Sequence, residues 1–165
     1  MTIKAAVITC SDRAFANVYE DRSGPVLREG LAAAGCGLAE AVIVPDEADQ
    51  IKDAILSAVR AGARVVVTTG GTGIAPRDVT VEAVRSLLDY EVPGLMEEVR
   101  RIGAAATPLA LLSRGVAGVL TLDGRRSFVL TAPGSRGGAR DTMKVVGPLL
   151  DHLVGQLDGA DHPMD

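Results

Sequence analysis

Up to residue 70 the chain alternates between two hydrophobic periods, and this alternation restricts its fold more than any other feature. IKAAVIT (3–9), LAEAVIV (38–44) and ARVVV (63–67) are short apolar runs of strand length. The two intervals between them carry helical spacing instead: Leu27, Leu31 and Ala34 share one face, and Ile51, Ile55 and Val59 share another. Ser23 is placed to cap the first helix, with Pro25 in its first turn and Gly35 at its end. Asp46 is a candidate cap for the second, and Gly62 stops it. A βαβαβ order predicts a largely parallel sheet with helices on both faces, because each parallel crossover must return over the sheet.

Further on, Thr80 is expected to cap a helix carrying Val84, Leu87 and Leu88, with Glu82 near its positive end. Pro93-Gly94 should break the chain before a short helix with Leu95, Val99 and Ile102 on one side. GVLTL and SFVLT flank a turn at Asp123-Gly124-Arg125-Arg126 and read as two strands. A final helix follows on Ala139, Met143, Val146, Leu150 and Leu153, divided at Pro148. The expected organisation is one domain over 1–158 and a frayed tail over 159–165.

Composition removes several classes of function. Apolar residues make up 47% of the chain, but no run approaches the ~18 residues of a membrane span. The start, MTIKAAVITC, reads as a strand rather than a signal peptide, which points to the cytoplasm. A net charge of −4 with 2% aromatics gives neither the basic footprint nor the stacking surface of a nucleic-acid binder. Arg100-Arg101 and Arg125-Arg126 read as solvated pairs, and Cys10 and Cys36 as buried free thiols. Neither His152 nor His162 forms a metal cluster with them.

Chemistry concentrates in TTGGTGIAPRDVTVEAV (68–84). No lysine follows the glycines, so this is not a nucleotide-phosphate loop of the kind that ends in Gly-Lys-Ser or Gly-Lys-Thr. It follows the third strand rather than the first, which argues against the dinucleotide fingerprint. What remains is a glycine-rich loop at a strand's carboxyl end, whose free amides and helix dipole suit an anion. Asp78 follows the loop, Asp46 ends the second strand, and Ser11-Asp12-Arg13 ends the first. In a parallel sheet these ends share one rim. Each aspartate could be a helix cap or turn residue, and that alternative stays open. Carboxylates beside an anion site otherwise call for a cation, and Mg²⁺ takes one or two carboxylates plus phosphate oxygens. A second loop, APGSRGGARD, with Arg136, offers another amide-rich helix start.

The segments SDRAFANVYEDRSGPVL, VPD, TTGGTGIAPRDVTVEAV, PGLMEEVR, TPLALLSR and APGS occur in this order. Together they resemble the molybdenum cofactor biosynthesis proteins of the MoaB/Mog type over about residues 5–155. The resemblance implies a three-layer α/β/α fold around a mostly parallel mixed sheet, a homotrimer, and transfer of AMP from Mg-ATP to the terminal phosphate of molybdopterin. It maps Asp46 and Asp78 as the catalytic and Mg²⁺-holding aspartates. Ser11, Asp12, Gly70, Gly71, Thr72, Gly73, Arg77, Pro133, Gly134 and Ser135 map as substrate-binding. A molybdenum-insertion protein is an implied partner. Val81 and Arg136 stand where many members have Pro, and His152 resembles the family's terminal His. No Ser-His or Cys-His pair offers covalent catalysis, and phosphoryl-group chemistry, which rests on positioning and charge stabilisation, needs none. Scarce aromatics suggest a pterin held by hydrogen bonds and apolar contact rather than by stacking. The rival readings are a paralogue that binds molybdopterin without transferring AMP, and a hydrolase acting through metal-bound water.

Overall fold

The computed structural model describes residues 2–161. Seven strands form one sheet: β1 (Lys4–Cys10), β2 (Gly37–Leu38), β3 (Val42–Val44), β4 (Val65–Thr69), β5 (Tyr90–Glu91), β6 (Ala117–Leu122) and β7 (Arg125–Ala132). The helices are α1 (Asp12–Phe15), α2 (Ser23–Ala33), α3 (Ala48–Arg60), α4 (Thr80–Arg85), α5 (Pro93–Ala106), α6 (Arg136–Val146) and α7 (Leu150–Leu157). The strand order is β2-β1-β4-β7-β6-β5, with β3 continuing beside β1 past β2. β1 pairs in parallel with β2, β3 and β4, and β4 with β7; β6 alone runs against its neighbours. The expected parallel-dominated mixed sheet is what forms.

The pleat divides the core in two. Ala5, Val7, Val65, Val67, Phe128 and Leu130 face α2, α5, α6 and α7, where Leu27, Leu31, Met96, Ala139 and Leu150 bury against them. Ala6, Ile8, Cys10, Val66 and Val129 face α3 and α4, meeting Ile51, Ile55, Val59, Val81 and Val84. Strands buried on both faces read as unbroken apolar runs, which is why β1 and β4 do. Both cysteines are buried free thiols, as expected.

Several local expectations change. The 38–44 run is not one strand. From Ala5 to Ile8, β1 advances three residues while its partner advances four, from Leu38 to Val42, so a residue bulges out. Ser23 does not cap α2: the Asp21 carboxylate accepts from Gly24 N (3.0 Å), and Ser23 lies buried in the first turn. Neither Asp46 nor Thr80 caps a helix; the N-cap positions of α3 and α4 are Glu47 and Val79, and neither makes a side-chain cap. Pro93 does not break the chain but opens α5, since a first helical position needs no N–H. The buried face of α5 is Met96, Val99 and Gly103 rather than Leu95, Val99 and Ile102. Arg100 is no free surface charge, because it donates to Gly115 O at 2.9 Å. α1, the two-residue β5 and a 3₁₀ turn over Pro108–Leu112 were not anticipated. Pro148 divides the last helix as expected. Gly159 N and Ala160 N donate to Gln156 O and Gly155 O at the end of α7; the rest of the expected tail, 162–165, lies outside the described residues.

Candidate active site

β1 leads through α2 to one side of the sheet, and β3 leads through α3 to β4 on the other side of β1. The carboxyl ends of β1 and β4 therefore flank the switch point where open α/β sheets hold ligands. A cleft of ≈ 410 Å³ opens there.

The glycine loop forms one wall. Gly70 (φ +90°) lies so close to β1 that a Cβ would sit 2.4 Å from Cys10 O. At Gly71 (φ +64°) a Cβ would sit 2.2 Å from Thr80 Oγ1 and 3.3 Å from Asp46 Oδ1. Positive φ and absent space together require glycine at both. Gly73 differs: its φ is ordinary, and the constraint is space, since a Cβ would meet Asp78 Oδ2 at 2.7 Å. Thr72 is buried, and Arg114 fastens the loop from behind. Its backbone N–H donates to Thr72 O (2.8 Å) and its guanidinium to Gly73 O (2.7 Å) and Asp78 O (3.0 Å).

The aspartates are organised by each other. Asp12 N–H donates to Asp46 Oδ2 (2.9 Å), and Asp46 N–H donates to Asp12 Oδ1 (3.0 Å). Arg77 then takes Asp12 in a two-pronged ion pair and reaches Glu47 (3.1 Å). The hydrogen bond from the Asp46 backbone, aided by Arg77, lowers the Asp12 pKa. Burial raises that of Asp46, and the charges of Asp12 and Asp78 add to the rise. Asp46 Oδ1 is buried without a hydrogen-bond partner among the described residues. Asp78 is not freed by a Thr80 cap. Its carboxylate closes the loop on Ala75 N (3.0 Å), while the Thr80 hydroxyl lies against the Cys10 thiol. Burial pushes that thiol up to about 12.

Of the residues mapped as a site, Ser11, Asp12, Asp46, Gly70, Gly71, Arg77, Asp78 and Gly134 line this cleft. Thr72, Gly73, Pro133 and Ser135 do not. Ser11 and Ser135 are committed to capping, accepting from Ala14 N (3.2 Å) and Gly138 N (3.0 Å). Pro133 O accepts from Thr69 Oγ1 (3.0 Å), and Gly134 packs its backbone onto Gly70. His152 lies elsewhere, in a hollow with Tyr90 and Phe128. The sequence reading missed Thr9, Tyr19, Asp21, Ser23 and Thr69, which form the cleft's other half. Two hydroxyls in register, Thr9 beside Thr69, in otherwise apolar strands were the available signal.

No group of three or more His, Cys, Asp or Glu side chains able to hold a metal occurs among the described residues. An unpartnered buried Asp46 oxygen beside Asp78 nevertheless fits a cation that brings most of its ligands with it, as Mg²⁺ does on a polyphosphate.

An open, largely parallel sheet with close-approaching glycine backbone and paired carboxylates around a cleft at its switch point defines an α/β protein of the open-sheet, ligand-cleft class. The chain belongs to the family described as probable molybdopterin binding domain, which matches residues 6–152. It is 41% identical over 158 residues to a "Molybdenum cofactor biosynthesis bifunctional protein" of Synechococcus elongatus, covering 96% of this chain and 48% of that one. The chain thus spans about half the length of that relative, and less of other long ones. It is 35% identical to the "Molybdopterin adenylyltransferase" of Pyrococcus furiosus, covering 93% of this chain and 90% of that one. A solved MoaB structure from Thermus thermophilus superposes with a TM-score of 0.85 at 43% identity, covering 96% and 98% of the two chains. The MoaB/Mog resemblance and its fold are borne out.

Proposed function

We propose that this chain acts in molybdenum cofactor biosynthesis by transferring AMP from Mg-ATP to the terminal phosphate of molybdopterin. A phosphate oxygen of molybdopterin attacks the α-phosphorus of ATP, the bond to the β-phosphate oxygen breaks, and pyrophosphate leaves. The observation that carries the reading is Asp46 Oδ1, buried and unpartnered beside Gly71, in a cleft shared with Asp78. Burying a carboxylate oxygen unsatisfied costs stability, so a site that keeps one has a partner to come. Asp46 and Asp78 would hold Mg²⁺, which would offset the charge of the triphosphate. Gly70 and Gly71 bring backbone within reach of a phosphate without a side chain in the way. Asp12 and Arg77 fix the Asp46 backbone and the loop between them, so the carboxylates are positioned before substrate arrives.

A homotrimer is part of the same proposal. It is supported by Leu109, Leu111 and Leu112, exposed to 72%, 63% and 51% on the 3₁₀ turn that precedes Arg114.

The test is incubation with ATP, Mg²⁺ and molybdopterin, followed by chromatography for the adenylylated pterin and for pyrophosphate. Both products in equal amounts are expected. Molybdopterin binding with no pyrophosphate release would leave a binding protein instead.

A further inference from the structure

The half of the cleft that the sequence reading missed has its own chemistry. Thr9, next to last in β1, and Thr69, last in β4, lie on the α2 face of the sheet, whereas Cys10 faces α3 and α4, beside Asp46. The cleft therefore straddles the sheet's edge. On the α2 side Asp21 is held from two directions, accepting from Gly24 N at Oδ1 (3.0 Å) and from Thr9 Oγ1 at Oδ2 (2.7 Å). Gly24 is required for this: a Cβ there would lie 2.2 Å from Asp21 Oδ2 and 2.7 Å from Thr9 Oγ1. Asp21 and Thr9 also line a second hollow of ≈ 340 Å³, with Val7, Pro25 and Arg28. This carboxylate thus lies between the main cleft and the second hollow. Tyr19 also lines the main cleft and is 42% exposed.

Building on the function proposed above, we infer that Asp21 and Tyr19 select the pterin ring. An ionised carboxylate has about four acceptor sites. Two are used, one on each oxygen, leaving a forked acceptor for two parallel N–H donors. A 2-amino-4-oxopteridine presents such a pair at its 2-amino group and N3–H. Adenine presents one donor and one acceptor on the corresponding edge, so the fork discriminates against the nucleotide base. The Tyr19 ring supplies an aromatic face for a flat bicycle. The pterin then lies on the α2 side, and the triphosphate lies with Asp46 and Asp78 on the other.

The experiment compares wild type, Asp21→Asn, Tyr19→Leu and Tyr19→Phe. It measures molybdopterin affinity, affinity for a non-hydrolysable Mg-ATP analogue, and the preference for pterin over lumazine, which carries oxygen in place of the 2-amino group. Asp21→Asn should weaken molybdopterin by about tenfold or more and shift preference toward lumazine, because the amide turns an acceptor into a donor. The ATP analogue should bind as before. Tyr19→Leu should weaken molybdopterin and Tyr19→Phe should restore it, which keeps the test alive if Asp21→Asn folds poorly. Unchanged pterin preference in Asp21→Asn, or a leucine variant equal to phenylalanine, overturns the inference while the transfer reaction stands. Failure of wild type to bind molybdopterin removes both.

Discussion

The smallest unit that matters is a carboxylate in the wrong environment. Burial raises the Asp46 pKa, so over the interval between its ordinary value and its folded value the native protein holds a proton that the unfolded chain has released. Stability is therefore lost as pH rises through that interval. Asp46→Asn cannot ionise and escapes the loss, while its side-chain oxygen still accepts from Asp12 N. The ligand-free variant should melt higher than wild type at neutral pH, and the advantage should vanish once acid has protonated Asp46; thermal melts at several pH values decide this. Turnover should fall by about a hundredfold or more, the usual loss when an electrostatic contact in a phosphoryl-group transition state is removed. A variant that is less stable at neutral pH and fully active would make Asp46 an ordinary structural aspartate. Gly71→Ala tests the neighbouring constraint. With φ at +64° and Thr80 Oγ1 2.2 Å from the new methyl, phosphate-ligand binding should be lost even where circular dichroism shows a native fold. Cys10, pushed up to about 12 by burial, should resist alkylation at pH 8 until denaturant is added.

Between elements, Arg114 joins several parts of the site. It ties the segment after α5 to three carbonyls of the glycine loop and to Glu82 on α4. The Arg114 guanidinium holds the Glu82 carboxyl below its ordinary range. That contribution is present above the ordinary glutamate value and is lost as pH falls through the lowered one. Arg114→Ala should cost roughly 1–3 kcal/mol in denaturant unfolding at pH 7 and should flatten the acid side of the stability profile. An unaltered profile would show that the pair adds nothing. This tie was not legible in TPLALLSR, because nothing local says which loop an arginine will meet. Elements whose period matched their burial were legible: β1 and the Ile51, Ile55, Val59 face of α3 form where expected, and β4 forms two residues beyond the expected 63–67, at Val65–Thr69. Pro93 was misread because the same residue ends one helix or opens another, and only the packing of Met96 and Val99 decides. Asp12, Asp46, Gly70 and Gly71 could be placed on the cleft from the sequence because strand ends in a parallel sheet must share a rim. Tyr19, Asp21 and Ser23 were missed because the 11–24 stretch is polar and aperiodic, and only the fold brings it back over Thr9.

For the molecule as a whole, the exposed leucines carry the assembly prediction. Leu109→Ser with Leu111→Ser should shift light scattering from a trimer to a monomer, with little change in the isolated fold because neither side chain is buried. A trimer that survives both changes must be assembled through another face. The pleat of β1 has a consequence of a different kind. Thr9 and Cys10 are adjacent in sequence but belong to opposite sides of the sheet, one beside Asp21 and the other beside Asp46. A strand inverts its two sides when it slips by one residue. On the proposed placement of pterin and nucleotide, the spacing of the two reactants would be set by a single peptide unit, a ruler one residue long, and a one-residue deletion within AAVIT would do more than weaken the sheet. It would turn the threonine that steadies one half of the cleft into the core of the other and bring the thiol out in its place, exchanging the two proposed addresses while every loop residue kept its identity.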